Sequence, residues 1–347
     1  MEKLKHHKNT ITYILTLVFS VLFIVIGYRT NKVEFTHDSM KSYRAEVIAI
    51  DEISEESMDY GYDAMAFKTI RFIAKIESDD FESDKLEAFQ FIDEAIEINP
   101  KEVEIGDDIL IAQMGSRTNF EETVWTFIEY YRTDSLILLL AIFFILLILF
   151  CRKKGINTII SLIITCLSIF MVFIPSILNG KNIYASSLVI CVFIIFSSLF
   201  IINGIQKKTL CAIVGNLGGL VAAGILSYAI SNMLNLTGLI DQDSVFLLMM
   251  NPEKPIDLRA ILWSSIVIGS LGAVMDISMS IASAMNELSE NIDNKDFRVF
   301  LKSGLNIGQD SIGTMTNTLI LAYIGSMGIL LAIPITSLFS AYIFSRF

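Results

Sequence analysis

Gly269-Ser270-Leu271-Gly272-Ala273-Val274-Met275-Asp276-Ile277-Ser278-Met279-Ser280-Ile281-Ala282-Ser283-Ala284-Met285-Asn286-Glu287 is the stretch that decides how this chain folds. The apolar run that carries it begins near Leu258 and ends near Ala284, long enough to cross a bilayer as a helix. Asp276 then lies about ten residues, roughly 15 Å at helical rise, from the inner end. An ionised side chain at that depth costs about 2.5–3.5 kcal/mol on insertion scales, so a membrane helix rarely carries one without a use. Helical spacing sets Gly272, Asp276, Ser280, Ser283 and Glu287 on one stripe and turns Ile277, Met279 and Ile281 elsewhere. Two readings follow: an acid that fixes packing inside a helix bundle, or a site that handles protons or ions.

The rest of the chain has the composition this helix asks for. Hydrophobic residues make up 53% of 347 and mean hydropathy is +0.60, above the roughly 45–50% apolar content of soluble domains. The apolar residues are gathered into spans, which predicts a polytopic α-helical membrane protein with seven to eight transmembrane helices. The net charge of −11 is unevenly placed: Glu34 to Asp108 holds 22 acids against 7 Lys/Arg. So acidic a segment argues against its binding nucleic acid or anionic lipid head groups. Cys151, Cys166, Cys191 and Cys211 all lie in or beside apolar spans, with no disulfide framework and no Cys-x-x-Cys motif. His6, His7 and His37 fall in no span, and no metalloprotease, P-loop or nucleophile-elbow motif occurs. No enzymatic activity, cofactor or metal is expected.

The first span, about Ile11–Tyr28, follows Lys3, Lys5 and Lys8 and precedes Arg29-Thr30-Asn31-Lys32, with no small-x-small cleavage site. It reads as a retained signal anchor, residues 1–29, with the N-terminus inside. Residues 30–132 are then extracytoplasmic. They alternate as short strands at Tyr43–Ile50, Thr69–Ile76, Phe89–Ile92, Val103–Ala112 and Thr123–Tyr131, which predicts a small all-β, OB-like domain with Trp125 in its core.

Residues 133–347 form the multi-span half. Spans are expected at Asp134–Phe150, Ile156–Leu178, Tyr184–Asn203 and Thr209–Ser231. The basic connections Arg152-Lys153-Lys154 and Gln206-Lys207-Lys208 belong inside, Asn179–Asn182 is a short outer turn, and Asn232–Asp257 is an outer loop. Gly215, Asn216, Gly218, Gly219 and Gly224 make a small-residue surface for close helix packing, with Asn216 the polar residue placed to face Asp276. After a charged inner segment, Phe297, Phe300, Leu301 and Leu305 space out as an amphipathic surface helix. The chain re-enters at Asp310, where Asp310, Thr314 and Asn317 share a face, while Thr316 and Thr318 are assigned to packing. The apolar tail runs on to Phe347, with Gly325-Ser326-Met327-Gly328 the candidate turn between one span and two.

Gly272 through Ser283, together with Gly308-Gln309-Asp310-Ser311-Ile312-Gly313-Thr314-Met315-Thr316-Asn317-Thr318-Leu319-Ile320-Leu321-Ala322-Tyr323, resembles the signature of the YibE/F family of bacterial membrane proteins. The resemblance covers nearly the whole chain and implies a multi-pass protein of the bacterial plasma membrane, with no activity attached. It departs at the tail, where Tyr323 to Gly328 joins directly what similar proteins space apart. A more distant likeness is to the SecD/SecF and RND permeases: a glycine-led helix with a mid-membrane acid, a charged inner turn, a surface helix and a Thr/Ser-rich re-entry helix. That likeness implies proton-coupled mechanics by analogy.

Two functions compete. In the first, the chain is a proton-coupled permease or export-assisting protein, with Asp276, Ser280, Asn317, Thr314, Asp310 and Asn216 along the ion path and the outer domain handling cargo. In the second, it is a non-transporting scaffold or sensor whose outer domain binds a protein partner. Intramembrane aspartyl proteolysis fits poorly, because that chemistry needs two facing carboxylates and Asp276 is the only acid deep in a span.

Overall fold

A computed structural model describes residues 2–32, 41–59, 64–76, 85–93, 101–115, 123–239, 244, 247–248, 255–292, 296–319, 332, 334–340 and 342–343. The chain divides into two compact units, one of residues 35–146 and one of residues 1–34 with 147–347.

The first unit holds a closed five-stranded barrel of β1 (Ser42–Asp59), β2 (Ala64–Ile76), β3 (Lys85–Asp93), β4 (Asp108–Gly115) and β5 (Thr123–Tyr130), ordered β1-β2-β3-β5-β4. All pairs are antiparallel except β3–β5, where Ala88 and Phe89 face Trp125 and Thr126 in parallel. The small all-β domain expected from strand alternation is present, and its strands are longer than alternation alone marked out. β1 continues past Ile50 because Glu52, Glu55 and Glu56 pair with β2 (Arg71, Lys68, Phe67) after irregularities at Val47/Ala49 and Ile50/Glu52. Such bulges let one strand curl and pair on both edges, which closes the barrel.

Ile70, Phe72, Ile92, Ile109 and Ile111 are buried to 1% exposure or less and fill the barrel's interior. Trp125, expected in the core, is only half-buried: it packs against this cluster and meets Tyr43 edge-on at 5.8 Å. The buried amide of Gln90 donates to Lys101 O at 3.0 Å and accepts from Val103 N at 2.9 Å, pinning the segment before β4. Tyr130 Oη donates to the same Lys101 carbonyl at 2.9 Å.

Among the described residues, six helices are long and apolar enough to cross a membrane. They are α1 (Glu2–Thr30, apolar from Thr10), α2 (Thr133–Cys151), α3 (Lys153–Leu178), α4 (Ile183–Asn203), α5 (Lys207–Met233) and α6 (Leu258–Asn291). Each span expected up to Ala284 is matched by one of these helices. α2 buries none of its residues. α1 is no detached anchor: it belongs to the helical unit and stacks Phe23 on Phe193 of α4 at 4.0 Å. A π-helical turn, Ile169–Phe173, interrupts α3, and Val172 O accepts from Asn31 Nδ2 at 3.1 Å.

α7 (Phe297–Leu319) corrects the expected break at Asp310. The amphipathic segment and the re-entry segment are one helix, because no proline or polar turn separates Leu305 from Thr314. Phe300 is fully buried and Leu301 and Leu305 half-buried, while Phe297 is exposed. Helix resumes at residues 334–340. The candidate turn Gly325–Gly328 and most of the tip of the Asn232–Asp257 loop lie outside the described residues.

Candidate functional site

α5 and α6 form the centre of the helical unit and run antiparallel. Gly224 of α5 lies under Trp263, whose indole N–H donates to Gly224 O at 2.8 Å, and nearer the other end Gly215 faces Ser278. Small residues on α5 make this closeness feasible, as small-xxx-small surfaces do in membranes. Gly215 stands eight residues, about 12 Å, from the Lys207 end of α5, and Asp276 lies two residues before Ser278 on α6, which puts it about 15 Å in helical rise from that end. That distance equals half of a hydrocarbon core about 30 Å thick.

A polar seam lies where α5, α6 and residues 334–340 meet. Thr336 Oγ1 lies 3.2 Å from Ser278 Oγ and donates to Ala332 O at 2.7 Å, all in a fully buried setting. A Cβ added at Gly215 would collide with Thr336, and one added at Gly304 of α7 would touch Ser337 at 3.0 Å. Along α5, Thr209, Ala212, Asn216, Gly219, Ala223 and Ser227 recur at three and four residues and all are buried. Asn216 donates through Nδ2 to Ala212 O at 2.8 Å, while its Oδ1 has no partner among the described residues. Thr209 Oγ1, Ser227 Oγ and Ser337 Oγ are equally buried and have no partner among the described residues, while Ser340 has the Cys211 thiol beside it. Orphaned oxygens in an apolar bundle are costly unless water or a polar solute reaches them.

Asp276 is on the other side of α6. Gly272, Asp276, Ser280 and Glu287 are exposed, as is Gly269, and Ser283 is half-buried, whereas Val274, Ile277, Ser278 and Ile281 are buried. Among the described residues, no atom beyond the helix's own turns lies within 4 Å of where a Cβ would stand on Gly269 or Gly272. The stripe read from the sequence is thus one face of one helix, as spacing required, but it points away from the bundle core rather than into it. Asp276 and Ser278 are two residues, about 200°, apart around the helix, so the face toward Gly215 cannot also present the acid.

This placement separates the expected companions. Ser280 shares the acid's face. Asn216 is buried in α5, where its neighbour Gly215 meets Ser278 of α6, while Asp276 is exposed. Asp310 is exposed on α7. Thr314 and Asn317 lie on the same helix, their side chains outside the described residues. Ser278, Thr336, Ser337, Ser340 and Thr209 were not singled out from the sequence. The i, i+4 pair Thr336/Ser340 in an otherwise apolar tail was the available signal.

No curated protein and no solved structure matches the chain, and nothing in these comparisons carries the SecD/SecF likeness. The YibE/F-like protein family matches residues 139–327, more than half of the chain, from within α2 through α7 and including Asp276 and Asp310. With six helices of membrane-spanning length and composition, the protein is an integral membrane protein. The chain belongs to the YibE/F family.

Proposed function

We propose that this protein is a proton-coupled permease or export-assisting protein of the bacterial plasma membrane, multi-pass with its N-terminus cytoplasmic, in which α6 is the coupling element. One face of α6 carries a titratable acid at mid-membrane and the opposite face lines the polar seam. The observation that carries this reading is the fully buried Asn216 Oδ1, which has no partner among the described residues and lies on a stripe with other orphaned oxygens. Hydration or a passing polar solute would satisfy them.

Asp276 supplies the bias. Its ionised form costs about 2.5–3.5 kcal/mol against hydrocarbon, a cost that protonation largely removes. That difference is enough to shift two arrangements of α6 by roughly a hundredfold. Gly269, Gly272 and Ser280 leave room on the acid's face for α6 to turn or slide, and any such motion is felt at Ser278 and Thr336. Asp310, Thr314 and Asn317, on one face of α7, are assigned to the inner end of the proton path. The barrel is assigned to cargo or a protein partner. No enzymatic step, cofactor or nucleic acid enters this reading.

The scaffold reading has one observation in its favour, the exposure of the Gly272–Asp276–Ser280 face, which suits contact with a membrane partner. Proton flux into proteoliposomes, wild type against Asp276→Asn, separates the two. The permease reading expects flux in the wild type and at least a tenfold loss in the variant, with insertion intact. Equal flux in both, or none in either, would leave the scaffold.

A further inference from the structure

We propose that the groove between α1 and α4 is a binding site for one anionic phospholipid, its chains along Phe19, Phe23 and Val189 and its phosphate at Lys181. This inference stands apart from the permease reading. Two clefts of about 700 and 550 Å³ meet there and share Phe19, Phe23 and Val189. Both fall within the usual size of a ligand site.

The lower cleft is lined by side chains that offer a lipid tail no competing polar group. Phe193, Phe196 and Phe200 supply its α4 wall, and the hydroxyls of Thr16 and Ser197 are turned back onto Thr12 O at 2.9 Å and Phe193 O at 2.7 Å. The upper cleft ends in polar chemistry at Asn31, Lys181 and Ser186, beside the first turn of α4.

Length argues for a lipid. From Phe19 to Asn31 along α1 is twelve residues, about 18 Å, close to one leaflet's half of a ~30 Å core plus its interface. A molecule with its polar end at Asn31 and apolar chains reaching Phe19 has the dimensions of one leaflet lipid. Charge argues for an anionic one. Lys181 Nζ donates to Asn31 Oδ1, and no carboxylate among the described residues pairs with it. Asn31 is itself immobilised, donating to Val172 O and accepting from Asn179 Nδ2 at 2.8 Å on its carbonyl. The lysine is therefore held at the groove mouth with donors to spare and no counter-ion among the described residues, which suits a phosphate on a net-negative headgroup.

Native mass spectrometry of the full-length protein in detergent, titrated with phosphatidylglycerol or phosphatidylcholine, tests this. Wild type should hold one phosphatidylglycerol about fivefold more tightly than phosphatidylcholine, the weight of one lysine beside an anionic headgroup. Lys181→Gln should erase that preference, whereas Lys153→Gln at the other end of the bundle should not. Val189→Trp fills the groove and should lower retention of both lipids while Lys181 is untouched. A wild type without anionic preference, variants that bind as wild type does, or a lipid-free dimer closing the groove would each overturn the proposal.

Discussion

Replacing Gly215 by alanine tests how α5, α6 and the 334–340 segment are packed, and its cost can be worked out beforehand. The new methyl group would overlap Thr336 Oγ1, lie 2.8 Å from Thr336 Cβ and reach 3.1 Å from Ser278 Oγ. Rotating Thr336 does not relieve this, because its Cβ is itself too close and its β-branched χ1 is stiff. The helices must part by several tenths of an ångström. Overpacking of this kind costs about 1–3 kcal/mol, and weakening the Thr336–Ser278 contact adds roughly 0.6 kcal/mol by membrane measurements. Alanine recovers nearly 1 kcal/mol of helix propensity, which leaves a net loss of about 1–2 kcal/mol. Gly272→Ala is the matched control: among the described residues no neighbouring element lies within 4 Å of its added carbon, so it should be neutral or slightly stabilising. Unfolding of the full-length protein in mixed micelles by graded SDS should separate the two variants by about 2 kcal/mol. If Gly215→Ala were as stable as wild type, or Gly272→Ala the worse of the pair, the assignment of buried and exposed faces on α6 would fail.

Two further outcomes concern the barrel. Gln90→Leu strands Lys101 O and Val103 N and should cost about 1–3 kcal/mol, read as a lower denaturant midpoint for the barrel by Trp125 fluorescence. Burial, and then the Asp107 carboxylate, raises the Tyr130 phenol above its usual 10. The folded barrel thus holds that proton more tightly than the unfolded chain. The resulting stability is complete below pH 10 and is lost as pH rises through the folded value. Tyr130→Phe should flatten the alkaline part of the stability profile, and an unchanged profile would refute the assignment.

Much of the architecture was legible because its signals are local. Apolar run length located the spans, and basic flanks at Arg152–Lys154 and Lys207–Lys208 marked their ends. Alternation located the strands, although the acidic residues of β1 disguised its second half until pairing with Lys68 and Arg71 of β2 explained them. The residues that share a face with Asp276 were legible from helical spacing, but the opposite face, read as greasy, also carries the buried Ser278. Which face looks inward was not legible. Periodicity gives the angle between residues but not the direction of the neighbour, and the small residues of α5 chose the Ser278 side for close approach. The same limit hid the seam, since Thr336 and Ser340 acquire meaning only once they abut α5 and α6. The continuous α7 shows a related gap: a charged residue such as Asp310 marks a change of surroundings without ending a helix.

The central claim is that α6 transmits the protonation of Asp276 to the seam on its far side. A single cysteine at Ser340, in a chain whose native cysteines are replaced by alanine, reports seam hydration through its alkylation rate by a small hydrophilic reagent. Dividing the rate by that of the same protein bearing Asp276→Asn, at each pH, cancels the thiol's own titration. The account predicts a ratio that changes at least severalfold between acid and neutral pH and approaches one where Asp276 is protonated. A ratio of one at every pH would mean that the acid and the seam are uncoupled, and the permease mechanism would fall.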